Sequence, residues 1–418
     1  MISLVGLALA HTFGAVLLAL ATREPLRLTL RRPSAALVAL AVLHLCSLGP
    51  AGLVLLAALA AAALWARPAA PAPPAAPLPW LALAGLAAAT LARPWVPTQW
   101  DELVWLGKAR LGAAGFDAVV DASLDPAQHL IPAGYPTLWP AAVGWLSLGR
   151  DGLTTQTLAA SLLVIVTAAA ALEAWWPHVR SRPAGALPLA AAALGAPLVW
   201  VHLRSVYLDL PLGLLGLALL GTLLGAERRA PLTALAFAVV LAGFKDEGVV
   251  HALAASIGAI VVSQRPSRSL ALAAPAGLAV AVALSWRALA ASAGTPGADH
   301  ALGAPLLAWL PQLARLVWLH ATDVVTWGVF WPVALVALAR PTAEREVRSL
   351  KWLVAGYAAA LSAGLVFGSE RMRAFAENGT LLDRLLVQAW PAAALALLLA
   401  LAPAQGGAGT ASMPSAQR

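Results

Sequence analysis

Four short clusters of ionisable residues stand out in an otherwise apolar chain. The first is Trp100-Asp101-Glu102 with Trp105 and Lys108. The second is Tyr207-Leu208-Asp209-Leu210-Pro211, and the third Gly243-Phe244-Lys245-Asp246-Glu247-Gly248. The fourth runs from Ser369-Glu370-Arg371-Met372-Arg373 to Asp383-Arg384. Carboxylates beside cations offer two kinds of chemistry: an ionised Asp or Glu takes a proton from a hydroxyl, and a nearby ammonium or guanidinium stabilises an anion. The third cluster is the most costly to place. No other charge lies between Pro231 and Gln264, and adjacent ionisable groups there must pair or face a polar cavity. Taken singly, the last three clusters also read more plainly as a helix-start acid, a neutralised turn and a solvated loop.

Lysine usage singles out two positions. Of 27 basic residues only Lys108, Lys245 and Lys351 are lysine. The first two sit in acidic clusters, which points to a need for a compact ammonium rather than a guanidinium.

The elements that must position these groups are membrane helices. The chain is 61% hydrophobic and only 11% charged, against about 25% charged in soluble domains. Apolar runs of about 20 residues recur, the length that crosses a lipid core of about 30 Å. Strand-type alternation is absent, which argues against a transmembrane barrel. The fold class expected is therefore an all-α polytopic membrane protein with about thirteen transmembrane helices. Spans are expected near 2–21, 35–47, 50–66, 78–94, 153–176, 185–202, 208–225, 231–244, 248–263, 269–289, 322–339, 350–368 and 385–402, with 35–66 divided at Gly49-Pro50. The first run has no basic segment before it and reads as a retained helix.

The net charge of +8 comes from short basic clusters between apolar runs, at Arg23–Arg32, Arg67, Arg180–Arg182, Arg228–Arg229, Arg265–Arg268 and Arg340–Lys351. This is the mark of cytoplasmic loops, not of a nucleic-acid partner. On the path they define, the inner acids are Glu24, Glu173, Glu227, Glu344 and Glu346, and all four clusters fall on the outer side. Cys46 is the single cysteine, so the chain forms neither an intrachain disulfide nor a thiolate metal cluster. Residues 67–78 read as a stiff Pro/Ala linker and 403–418 as a disordered tail. The outer loop 95–152 is the longest stretch between spans. Within it, 100–111 is expected to form an amphipathic helix along the membrane surface, with Asp101, Glu102 and Lys108 on or near its polar side.

In the segment Trp100 to Leu111 the sequence resembles the GT-C superfamily of polyprenyl-phosphate-sugar-dependent glycosyltransferases. The likeness is to a bacterial branch with a W-D-x-x-x-x-W-x-x-K-A motif in the first large outer loop. The branch's later motifs follow in order: Tyr135-Pro136-Thr137-Leu138-Trp139-Pro140, Asp209 to Leu212, and Lys245 to Gly248. The resemblance covers residues 78–402, leaving 1–77 as extra N-terminal helices and linker. It implies sugar transfer from polyprenyl phosphate to an extracytoplasmic glycan, lipid or protein acceptor. Asp101 would be the catalytic base, with Glu102 the adjacent candidate. Lys108, Lys245, Arg371, Arg373 and Arg384 would hold the donor phosphate. His129, Tyr135, Tyr207, Asp209, Asp246 and Glu247 would contact substrate, although His129 also reads as an interfacial hydrogen bonder. No cofactor beyond the lipid-linked donor is implied, and no ligand spacing supports a metal. Ala/Arg-rich, Lys-poor usage suggests a high-GC bacterium, hence its inner membrane. Two other classes are compatible with such a chain: a transporter or flippase, and a non-catalytic scaffold of envelope assembly.

Overall fold

The computed structural model describes residues 2–65, 97, 100–111, 114, 116–125, 135–148, 152–179, 196–225, 232–263, 265–294 and 307–401; the expected span 78–94, linker 67–78 and tail lie outside them. Every regular element among the described residues is helical. Helix α1 (Ile2–Thr22) and the short α2 (Leu26–Thr29) lead into a hairpin of α3 (Ser34–Ser47) and α4 (Gly49–Trp65). Three short helices follow, α5 (Trp100–Leu111), α6 (Phe116–Leu124) and α7 (Leu138–Leu146). The middle of the chain forms α8 (Leu153–Val179), α9 (Pro197–Arg204), α10 (Asp209–Gly225), α11 (Leu232–Phe244), α12 (Glu247–Val261) and α13 (Ser269–Ser292). The last third forms α14 (Leu310–Ala321), α15 (Val324–Trp327), α16 (Phe330–Ala339), α17 (Arg345–Val366), α18 (Glu370–Glu377) and α19 (Thr380–Leu401).

Five of these helices are long and apolar enough to cross a membrane, or six if α9 and α10, bent by 94° at their junction, count as one span. The other apolar helices have 10–17 residues. At 1.5 Å per residue they reach about 15–25 Å, less than a full hydrocarbon core. Large apolar side chains stand outward, among them Leu20, Val54, Leu270 and Val325. Such a surface suits lipid rather than water. The division at Gly49-Pro50 is present, with Gly49 at φ 63°, a left-handed conformation that costs glycine little.

Several element boundaries differ from the expected spans. The run 322–339 is broken at Gly328, whose φ of 58° and ψ of −133° fall where only glycine is comfortable, so α15 and α16 are separate. Helix α14 falls in no expected span. Helix α17 begins at Arg345 and α19 at Thr380, each about one turn or more before the apolar run starts, so that Asp383 and Arg384 are helical rather than in a loop.

Helix α10 is the axis of the bundle, packed against α8, α11, α12 and α19. Nearly all of its residues are buried. Helix α3 is also an interior element: Ser34 to Ala41 are all buried and it packs on α11 and α8. The N-terminal helices are therefore built into the same core as the rest. Small residues allow these close approaches. A Cβ at Gly14 would stand 1.7 Å from the Ala35 carbonyl oxygen, and one at Gly213 would stand 2.2 Å from that of Gln388.

One end of the bundle is closed by its own polar contacts. Arg32 donates to Glu24 at 2.9 Å. Glu173 accepts from the Ser34 backbone N–H at 3.0 Å and its hydroxyl at 3.2 Å, satisfying a donor at the start of α3. Arg345 donates to the Leu224 carbonyl at 3.3 Å, and His178 lies 3.4 Å from Glu346. Asp209 sits at the far end of α10 from Leu224, about 22 Å away by helical rise.

The glycine contacts generate a paired prediction. Gly14→Ala should lower the thermal midpoint of the detergent-solubilised protein, with overpacking costing about 1–3 kcal/mol or more. Gly277→Ala, with nothing within 4 Å of the new methyl, should leave it unchanged or raise it by about 0.4–1 kcal/mol. Equal effects would mean that α1 and α3 are not packed this closely.

Candidate functional site

The candidate site is built around the junction of α9 and α10. Ser205 is extended there (φ −88°, ψ 175°), so the helix stops and restarts at Asp209 in a new direction. Non-helical backbone inside a bundle requires partners for its polar groups. The Trp139 indole N–H donates to the Val206 carbonyl at 3.0 Å, and the Ser161 hydroxyl to that of Arg204 at 3.3 Å. Trp139 also meets Phe244 edge-on, with ring centroids 5.0 Å apart, which ties the junction to the end of α11.

Asp209 is fully buried at the first position of α10. Its Oδ2 accepts from Arg384 Nε at 2.8 Å and its Oδ1 from Gln388 Nε2 at 2.8 Å, while Lys245 Nζ lies 3.7 Å away. Lys245 makes its closer contact with Glu247, at 2.8 Å. The Arg384 guanidinium lies over the Tyr207 ring at 5.1 Å, and Tyr207 faces His202 at 5.1 Å. Two carboxylates and two cations from three different sequence clusters thus form one ionic group.

Behind it lies a second polar layer. The Gln388 amide oxygen accepts from the Tyr357 hydroxyl at 2.5 Å and from His251 Nε2 at 3.1 Å, and the two rings stack with centroids 4.3 Å apart. The carboxylate on one side and two donors on the other fix the amide's orientation and place the imidazole proton on Nε2. Helix α10 makes room with Gly216, where a Cβ would stand 2.8 Å from His251 Nδ1. Gln388, Tyr357 and His251 were not singled out in the sequence. The available signal was helical spacing: His251 is four residues after Glu247 and Gln388 four after Arg384, so each shares a face with a cluster residue.

Other expected site residues fall around this group. Tyr135 lies against Trp105, centroids 6.4 Å apart. Burial first, then the carboxylates of Glu247 and Asp246, push its phenol well above the ordinary tyrosine range. Tyr135 is thereby a hydrogen-bond donor close to the ionic group. Asp246 turns toward Arg287, at 3.5 Å. Arg373 donates to the Gly368 carbonyl at 2.6 Å. Arg371 lies on α18 and Asp101 in the first turn of α5, with both side chains outside the described residues, as is His129.

Helix α5 has the expected bounds, but its orientation corrects the expectation. Glu102, Trp105, Leu106, Lys108 and Ala109 are buried, whereas Leu103 is 43% exposed. The face carrying Glu102 and Lys108 turns into the protein, against α6, α7 and α8, and not toward water. Lys108 lies over the Trp105 ring at 5.5 Å, and burial lowers its ammonium to about 8.

Two predictions follow from this geometry. Arg384→Gln should destabilise the protein by about 3–5 kcal/mol, since it leaves a buried carboxylate short of a charge partner. The double variant with Asp209→Asn should recover part of that loss in thermal unfolding, whereas simple additivity would separate the two residues. Lys108 is held below its unfolded value of 10.5. The unfolded chain therefore binds the extra proton between pH 8 and 10.5, and stability contributed by this group rises with pH across that window. Lys108→Met should flatten the rise; an unchanged pH profile would assign it elsewhere.

No protein-family model matches the chain, and no curated protein or solved structure matches it either.

Proposed function

We propose that the chain is a membrane glycosyltransferase that moves a sugar from a polyprenyl-phosphate donor to an extracytoplasmic acceptor. The observation that carries the reading is convergence. Tyr207, Asp209, Lys245, Glu247 and Arg384, far apart in sequence, make one buried ionic group at one end of an apolar bundle. Tyr135 joins it and, through Trp105, connects it to the helix that bears Asp101.

In the proposed reaction the acceptor hydroxyl attacks the anomeric carbon as the bond to the phosphate oxygen breaks. Asp101 takes the hydroxyl proton, and the bonding electrons leave with the phosphate. Displacement in one step inverts the configuration. Lys245 and Arg384 stabilise the leaving phosphate without a general acid. Asp209 positions both cations; its own surface is fully covered. The isoprenoid tail remains among the apolar helices, whose outward side chains offer it a matching surface.

The broken span favours one other reading, a carrier, because discontinuous helices with charged half-helix ends are frequent at transporter sites. Against a proton-coupled carrier stands Gln388, whose carboxamide does not titrate and which separates Asp209 from the Tyr357–His251 pair in the buried polar column.

Incubating the purified protein with labelled polyprenyl-phosphate sugar distinguishes the readings. Sugar release or transfer is expected for wild type, and Asp101→Asn should keep donor binding while losing about 10²–10⁴-fold in rate. Full activity in that variant would remove Asp101 from the mechanism. Solute or lipid flux in proteoliposomes without sugar turnover would replace the enzyme reading with the carrier.

A further inference from the structure

Four buried polar side chains on adjoining helices have no hydrogen-bond partner among the described residues. They are His44 on α3 (both ring nitrogens), Ser123 on α6, Thr137 at the start of α7 and Gln156 on α8 (both amide atoms). Each is at most 0% exposed, and their helices pack on one another: α3 against α6, α7 and α8, and α7 against α6 and α8. An unpaired polar atom in a packed interior costs folding free energy, and an apolar residue of the same shape would remove the cost. Four on adjoining helices call for a functional account.

The local sequence explains why they are unpaired. Thr137 occupies the N-cap of α7, where its hydroxyl would ordinarily accept from the second or third backbone N–H of the helix. The third position is Pro140, which has no N–H, and the Thr137 side chain makes no cap bond. His44 is held against α11 where Gly243 has no side chain. At the position of a Cβ on Gly243, the imidazole Cδ2 and Nε2 would lie at 2.6 and 2.8 Å, and a methyl of Leu138, the residue after Thr137, at 2.9 Å. Gly243 is two residues from Lys245, so His44 adjoins the ionic cluster across the end of α11.

We propose that His44, Ser123, Thr137 and Gln156 form a neutral polar chamber that binds an uncharged, hydroxyl-bearing ligand, the sugar portion of the substrate, beside the phosphate-holding cations. An imidazole, two hydroxyls and a carboxamide each donate and accept, which matches a sugar hydroxyl and offers little to an anion or a metal ion. The inference rests on the transferase reading and gives the N-terminal helices a part in it through His44.

Thermal unfolding of the full-length, detergent-solubilised protein provides the test, with methyl glycosides of the common hexoses and pentoses as probes and glycerol as the small-polyol control. At least one glycoside should raise the midpoint of wild type, and Thr137→Val and Gln156→Leu should lose that shift. Both variants should themselves unfold no earlier than wild type, because each removes an unpaired polar group. In the transfer assay they should raise KM by about tenfold per lost hydrogen bond while largely keeping kcat. No stabilisation by any glycoside, or the same shift in wild type and variants, would overturn the chamber. Glycoside stabilisation without sugar transfer would leave the chamber standing and remove the transferase. Transfer without glycoside stabilisation would do the opposite.

Discussion

A fully buried carboxylate at the start of the central helix constrains everything around it. Removing such an ion from water costs several kcal/mol even after relaxation, and only cations and hydrogen bonds in good geometry offset it. For Asp209 these come from the other side of two interfaces: Arg384 and Gln388 from α19, and Lys245 from the turn after α11. Gln388 then carries the constraint outward to Tyr357 on α17 and His251 on α12. The lateral positions of five helices at this end are tied to one side chain. Apolar packing alone is non-directional and would not specify them.

The same residue lies where a span is interrupted, and the interruption is possible only because its backbone is satisfied. Val206 and Leu208 are buried, yet the Val206 and Arg204 carbonyls have donors from Trp139 and Ser161. Trp139 belongs to α7, the helix that follows Tyr135. One short helix therefore both seals the break and delivers the phenol to the ionic group. The opposite end of the bundle uses its charges differently: Glu173 caps α3 and Arg345 covers the end of α10, each completing a helix terminus.

Much of this was legible in the sequence, though unevenly. The apolar runs place α1, α3, α4, α8 and α10 to α13 within a few residues, because a lipid-facing or core helix needs little besides length and hydropathy. The grouping of Asp209, Lys245, Glu247 and Arg384 followed from their shared side of the charge pattern. The orientation of α5 did not follow. Trp105 and Leu106 identify an apolar face but not whether lipid or protein covers it, and protein does, which takes Glu102 and Lys108 inward. The break at Gly328 was hidden because glycine is common within membrane helices. The span expected from 385 leaves Arg384 just outside it because hydropathy locates where an apolar run begins, whereas α19 starts at Thr380, its charged first turn held by Asp209. Gln388 and Tyr357 are isolated polar residues in apolar runs, the setting in which a polar group most needs a partner.

The charges of the ionic group balance, two carboxylates against two cations, and this determines which part of it can respond to an anion. Asp209 and Arg384 are joined by a direct 2.8 Å bond between two helices, with Gln388 fixing the second carboxylate oxygen. Moving either would disturb the packing of α10 against α19. Lys245 and Asp246 lie instead in the turn between α11 and α12, where the Lys245 N–H donates to the Leu241 carbonyl at 3.4 Å and the Lys245 ammonium is held by side chains alone. Lys245 is held at 2.8 Å by Glu247, whose other oxygen is buried without a partner among the described residues. On the proposed reading, an arriving phosphate would bring extra negative charge into this neutral group and would be met by the cations already there. Lys245 can meet the phosphate by shifting its side chain, whereas Arg384, fixed by Asp209, would stabilise it from where it stands. The arrangement thus divides into a half fixed between two helices and a turn whose ammonium, on the same reading, would exchange one oxyanion for another.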